Sequence, residues 1–309
     1  MVSQLNPDSV EVSISGDLPM EILDALALNY LGTVPPRASK LNIPKESLNV
    51  AKLGSQEQSV VYLPDSDERA MGYVAGPCPN QWGVFADGST VSEKLIQLNG
   101  NKKDDRISNP IFSSLLLQVF QEVANRRLFA IVREERRLTY DASFQLMGAD
   151  IIQGGYYLVS VTSSPSQVQQ AVSACKESLQ SLKGTFGVMS DSVQSAKRTL
   201  LTRFRTEAAT NKFWVEKLCG TQLDCIPFKS VRNIIEFESV LQSITVKDVQ
   251  QLVEILNFDD SNFHSCIGVT SEQAPPGFIG NAIKYSAAAT KSAAVSVNPP
   301  LSRGTRLMD

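Results

Sequence analysis

Histidine is nearly absent: His264 is the only one in the 309-residue chain. Zinc hydrolases draw two or three imidazole ligands from a short motif, so a single histidine excludes a self-contained centre of that kind. Cysteine is sparse as well. Cys78, Cys175, Cys219, Cys225 and Cys266 are odd in number and form no C-x-x-C pair, which predicts reduced thiols in the core and no disulfide framework. Long apolar runs are missing. Leu115-Leu116-Leu117 is typical of the longest, far short of the roughly 20 residues that span a bilayer, so no membrane partner is expected. Neither sign of charge dominates. The 29 Lys+Arg against 32 Asp+Glu leave a net −3 and no basic excess for nucleic acid. The opening Met1-Val2-Ser3-Gln4-Leu5-Asn6-Pro7-Asp8 carries neither a basic region nor an apolar signal core, so no export or transit address is read there.

What is present is an ordinary globular balance, 42% hydrophobic and 20% charged, in a chain long enough for one large domain or two small ones. Residues 10–15 alternate with period two and predict a strand; Asp17 is placed to cap the helix that follows. Ile22, Leu23, Leu26, Ala27 and Tyr30 recur at helical spacing until Gly32 and Pro35-Pro36 stop the helix. This β-α unit has no upstream sheet partner, so residues 1–37 read as the end of a preceding domain. Residues 38–58 read as a linker, and residues 59–270 as a domain of their own. Strands are expected at 59–63, 70–76, 138–144, 155–161 and 264–269, and residues 77–109 as a long loop. Helices are expected at 111–133, from Ser164, from Ser190 and from the capping pattern at Thr245 to Asp248. Residues 271–309 turn to Ala, Ser, Pro and Gly, too little apolar surface to offset chain entropy, and are expected to be a disordered tail. The tally is α+β, with helices packed on a mostly antiparallel sheet.

Several stretches carry a resemblance. Ser13-Ile14-Ser15-Gly16-Asp17 with Leu31-Gly32-Thr33-Val34-Pro35 resembles a strand-GD-helix-LGxxP ending of an M16 (pitrilysin-type) peptidase domain. Arg127-Leu128-Phe129-Ala130-Ile131-Val132-Arg133-Glu134 with Leu138-Thr139-Tyr140 resembles the RLFxxVRExxxLxY block of that family's inactive C-terminal domains. Gly155-Tyr156-Tyr157-Leu158-Val159 through Pro165 resembles the strand that follows it, and Thr245-Val246-Lys247-Asp248-Val249 a late helix start. The likeness runs from about residue 8 to 270. It implies the M16/LuxS-like metallohydrolase fold, in which two bowl-like halves close around a peptide. In such a peptidase zinc sits on an inverted H-x-x-E-H motif of the first domain, whose Glu is the general base. This sequence lacks that motif. The resemblance therefore implies no catalytic residue, no metal ligand and no cofactor in this chain, with zinc in a complementary N-terminal half. The implied partners are that half and an extended peptide or precursor protein. The likeness within the family implies the plastid stroma.

The same resemblance singles out Arg133 and Tyr140, seven positions apart, as substrate-binding residues beside the scissile peptide. A guanidinium and a phenol both donate hydrogen bonds to a carbonyl or a developing oxyanion. The blander reading has Arg133 ending a helix and Tyr140 packed at the core edge. The basic cluster Arg133, Arg136 and Arg137 reads either as the lining of an electropositive chamber that attracts acidic residues or as a solvated helix end, and the interleaved Glu134 and Glu135 favour the second. His264 and Cys266 share one face of a strand, but two ligands make an incomplete metal site. Gly154-Gly155 reads as a turn, and Trp82 and Trp214 as packing residues. Two rival functions stand beside a peptidase part: a non-catalytic peptide-binding subunit, or a truncated product without function.

Overall fold

The computed structural model describes residues 12–33, 58–63, 69–148, 152–184, 187–220 and 230–270. The expected tail at 271–309, nearly all of the linker and Cys225 lie outside them. The expected strand at 10–15 is not formed where it is described, since Val12 to Ser15 belong to no strand. An alternating segment becomes a strand only when a neighbour takes its backbone hydrogen bonds. Helix α1 (Met20–Leu26) does follow, and continues as a π turn over Ala27–Leu31. Its N-cap is Pro19, with no side-chain cap, so Asp17 does not serve as expected.

The sheet has five strands in the order β1-β5-β2-β4-β3, from β1 (Ser59–Leu63), β2 (Ala70–Cys78), β3 (Asp141–Met147), β4 (Gly155–Ser163) and β5 (His264–Thr270). Only β1 and β5 run parallel; the other pairs are antiparallel. Strict alternation puts Val74, Tyr157, Val159 and Val161 on the buried face, while Met71, Tyr73, Tyr156 and Leu158 stay exposed or half-buried opposite. Two glycines on the buried face of β2 are needed for close approach. A Cβ at Gly72 would lie 2.4 Å from Val172 Cγ2, and one at Gly76 would lie 2.2 Å from Tyr157 Oη.

Helices α3 (Phe112–Leu128) and α4 (Val168–Gln180) pack on that buried face, and α5 (Ser190–Glu207) and α9 (Val246–Leu256) pack against α3. The centre is aromatic. Phe120 meets Phe144 edge-on at 5.4 Å, Phe144 stacks on Tyr157 at 5.6 Å, and Phe258 lies against both Phe120 and Tyr157. Truncating such a buried ring to alanine costs about 3–5 kcal/mol. Short helices α6 (Asn211–Leu218), α7 (Val231–Ile235) and α8 (Phe237–Ser243) complete the order.

The expected loop at 77–109 contains a helix, α2 (Val91–Leu98). It is short, and only Val91 and Leu95, one turn apart, are fully buried, with Ile96 partly buried beside them, which leaves little periodicity to read. Its start carries a full capping box: the Thr90 hydroxyl accepts from Glu93 N–H and the Glu93 carboxylate from Thr90 N–H.

Candidate functional site

Helix α3 delivers the block Asn125-Arg126-Arg127-Leu128, and most of it is spent on packing. Leu128 is fully buried. Arg126 donates to Ser195 and Thr199 on α5, and Arg127 to the Gly187 carbonyl, so both guanidinium groups tie α3 to its neighbours. Asn125 clamps the edge strand β3: its Oδ1 accepts from Phe144 N–H at 2.7 Å and its Nδ2 donates to the Phe144 carbonyl at 3.1 Å. Gln121 Oε1 accepts from Leu146 N–H at 3.1 Å. Outward-facing main-chain groups of β3 are thus taken by α3.

Past Leu128 the helix widens into a π segment, Phe129–Glu135, which carries Arg133. Arg133 is exposed, its guanidinium 4.9 Å from the Phe129 ring centroid, and among the described residues it has no carboxylate partner. Arg136 is engaged by Glu177 at 2.5 Å. Arg137 then takes a left-handed backbone, φ 54°, and turns the chain back toward the sheet. The Leu138 N–H donates to the Val132 carbonyl at 3.0 Å, and Thr139 is buried. Strand β3 begins only at Asp141, three residues later than expected at 138, because residues 138–140 form the connection out of the π turn. Tyr140 stands just before it, 89% exposed, and not packed at a core edge. Arg133 and Tyr140 therefore both lie exposed on one short connection between α3 and β3.

A second polar cluster escaped the sequence reading. Lys197 on α5 is 3% exposed and donates to the Gln242 carbonyl at 2.8 Å. Burial pushes its ammonium below the usual lysine range, with Asp248 pulling the other way. Asp248 is itself buried; it accepts from Thr245 N–H at 2.7 Å as part of a capping box and from Arg106 at 3.3 Å. Arg106 also pairs with Asp104 at 2.7 Å and holds that carboxyl below its ordinary range. The network joins the loop after α2 to α5 and α9. It is a structural tie, and nothing in the sequence around Lys197 marks its burial.

Among the described residues no three His, Cys, Asp or Glu side chains gather where they could hold a metal ion. His264 pairs opposite Ala75 and Cys266 opposite Tyr73 on β5, both half-buried on the helix-free face of the sheet. Cys78 and Cys175 are buried, and burial pushes each thiol up to about 12. Gly154 turns at φ 74°, Trp82 packs against the core, and Trp214 donates to the Ala208 carbonyl at 2.9 Å. No helix among the described residues is long and apolar enough to cross a membrane.

Residues 3–200 match the peptidase M16 inactive domain. The chain is 36% identical over 294 residues to the chloroplastic stromal processing peptidase of Pisum sativum, covering 89% of this chain and 23% of that protein. It is 34% identical over 290 residues to the rice protein of the same name (Oryza sativa subsp. indica), with the same coverage. The chain thus spans about a quarter of the length of these curated relatives. The fold agrees with a solved peptidase M16 inactive domain from Pseudomonas fluorescens at a TM-score of 0.53 and 15% identity, over 83% of this chain and 52% of that one. The chain belongs to the peptidase M16 inactive-domain family, and within it resembles stromal processing peptidase.

Proposed function

We propose that this chain is the zinc-less C-terminal part of an M16-type metalloendopeptidase, acting in the removal of transit peptides in the plastid stroma. Its role is to close the chamber and hold an extended peptide, with residues 59–270 as the inactive domain and residues 1–37 as the end of the domain before it. The observation that carries this reading is the exposed pair Arg133 and Tyr140 on the connection into β3, within the stretch that matches the peptidase M16 inactive domain. The zinc and its activated water belong to a catalytic half bearing H-x-x-E-H, in the same or another chain.

In this reading the Arg133 guanidinium, backed by Phe129, offers a fork of donors to a peptide carbonyl, and the Tyr140 hydroxyl donates to a second. Both are fixed in a region that closure of the two halves dries, where such hydrogen bonds strengthen. The peptide is gripped by side chains here and does not add to β3, whose outward groups Asn125 and Gln121 already occupy. A non-catalytic peptide-holding subunit remains the rival. The test is to assemble this chain with an H-x-x-E-H half and measure zinc-dependent cleavage of a precursor. Cleavage is expected, with Arg133→Ala and Tyr140→Phe each lowering turnover on the order of 100-fold at unchanged assembly. Assembly without cleavage supports the rival, and unchanged turnover in both variants removes the site assignment.

A further inference from the structure

We infer that Thr139 is a positioning residue that fixes Tyr140 for peptide contact, an inference that rests on the reading of Tyr140 given above. Tyr140 is 89% exposed, so the backbone that carries it sets where its side chain leaves the chain. That backbone is tied on both sides. Thr139 is 8% exposed, and its Oγ1 accepts from Asp141 N–H at 3.0 Å. The same hydroxyl has one proton, shared between the Asp141 carbonyl at 2.7 Å and the Thr162 carbonyl on β4. On the other side the Ser163 hydroxyl donates to the Leu138 carbonyl at 2.5 Å, and the Leu138 N–H reaches back to Val132, the residue before Arg133.

One hydroxyl and its neighbour therefore anchor the turn to β4, a strand paired on both flanks and so among the stiffest parts of the sheet. The left-handed Arg137 lies inside the same turn. A side chain holds that conformation at some cost, and it persists where surrounding bonds over-determine the backbone. The bonds made by Thr139 itself, to Asp141 and to Thr162, sit at the Tyr140 end of the turn. Thr139 touches no substrate in this account; it acts through Tyr140.

Valine has the shape of threonine with neither a donor nor an acceptor, and serine keeps both. The test compares Thr139→Val, Thr139→Ser, Tyr140→Phe and the Thr139→Val/Tyr140→Phe double in the chain assembled with an H-x-x-E-H half. Two readouts are taken: kcat/KM on a precursor peptide, and hydrogen exchange of residues 138–142. Thr139→Val is expected to lose protection there and to lower kcat/KM by about 10- to 100-fold, with Thr139→Ser near wild type in both. The double should fall no further than the worse single, because the hydroxyl acts through the ring that is already altered. Unchanged protection in Thr139→Val, lost protection with full turnover, or a double equal to the product of the singles each overturns the positioning role alone. Tyr140→Phe at wild-type turnover overturns the peptide-contact reading and this inference with it.

Discussion

Arg133 and Tyr140 were readable as residues only through the motif that contains them; charge and exposure alone fit a solvated helix end equally well. Thr139 was not readable. In sequence it looks like one more strand threonine, and its role depends on β4 approaching from 23 positions away. Buried thiols were the easier inference, since sparse cysteines spread through apolar segments belong in a core. They carry a pH consequence. Burial raises Cys78 and Cys175 from 9.0 to about 12, so the fold favours the neutral thiol. Their contribution is complete below pH 9 and is lost as pH climbs toward 12, by about 1.4 kcal/mol per thiol and pH unit. Denaturant melts at pH 8 and pH 10 should show a clear drop in stability at the higher pH. Cys175→Ala should show a shallower one, and equal slopes would contradict the assignment.

Elements were legible where one face is buried over several residues. β2 and β4 show period-two alternation along their whole length, and α9 opens on a capping box that can be read directly from Thr245 and Asp248. α2 was missed because two buried residues do not make a pattern, and β3 was begun early because Leu138-Thr139-Tyr140 has strand composition in a turn. Two element-scale outcomes follow from the ties described above. Asp248→Ala removes the carboxylate that caps α9 through Thr245 and pairs with the partly exposed Arg106. Loss of the cap and its hydrogen bonds costs about 1–2 kcal/mol, measured by urea unfolding, while no measurable loss would mean the network is dispensable. Asn125→Ala combined with Gln121→Ala frees Phe144 and Leu146 main-chain groups on β3. An unsealed edge invites pairing, so the double variant is expected to self-associate with concentration, seen by sedimentation. A double variant as monodisperse as the parent chain would show that α3 is not the guard.

At the scale of the molecule, the α+β class and the mostly antiparallel sheet could be drawn from the order of periodic segments, though the order β1-β5-β2-β4-β3 could not. Pairing β1 with the last strand needs a contact across the whole domain, which local patterns do not encode. Helix α1 and the residues flanking it leave Leu18, Met20, Ile22, Leu28 and Tyr30 exposed, an apolar surface of the kind that marks a contact site. The proposed role requires that the connection from α3 into β3 face the substrate peptide. The most direct measurement places a photo-crosslinking phenylalanine analogue at position 140, and a control at exposed Met189, in the chain assembled with an H-x-x-E-H half and a labelled precursor peptide. The account predicts a peptide adduct from position 140 that unlabelled precursor competes away, and little from 189. Equal yields at the two positions would contradict it.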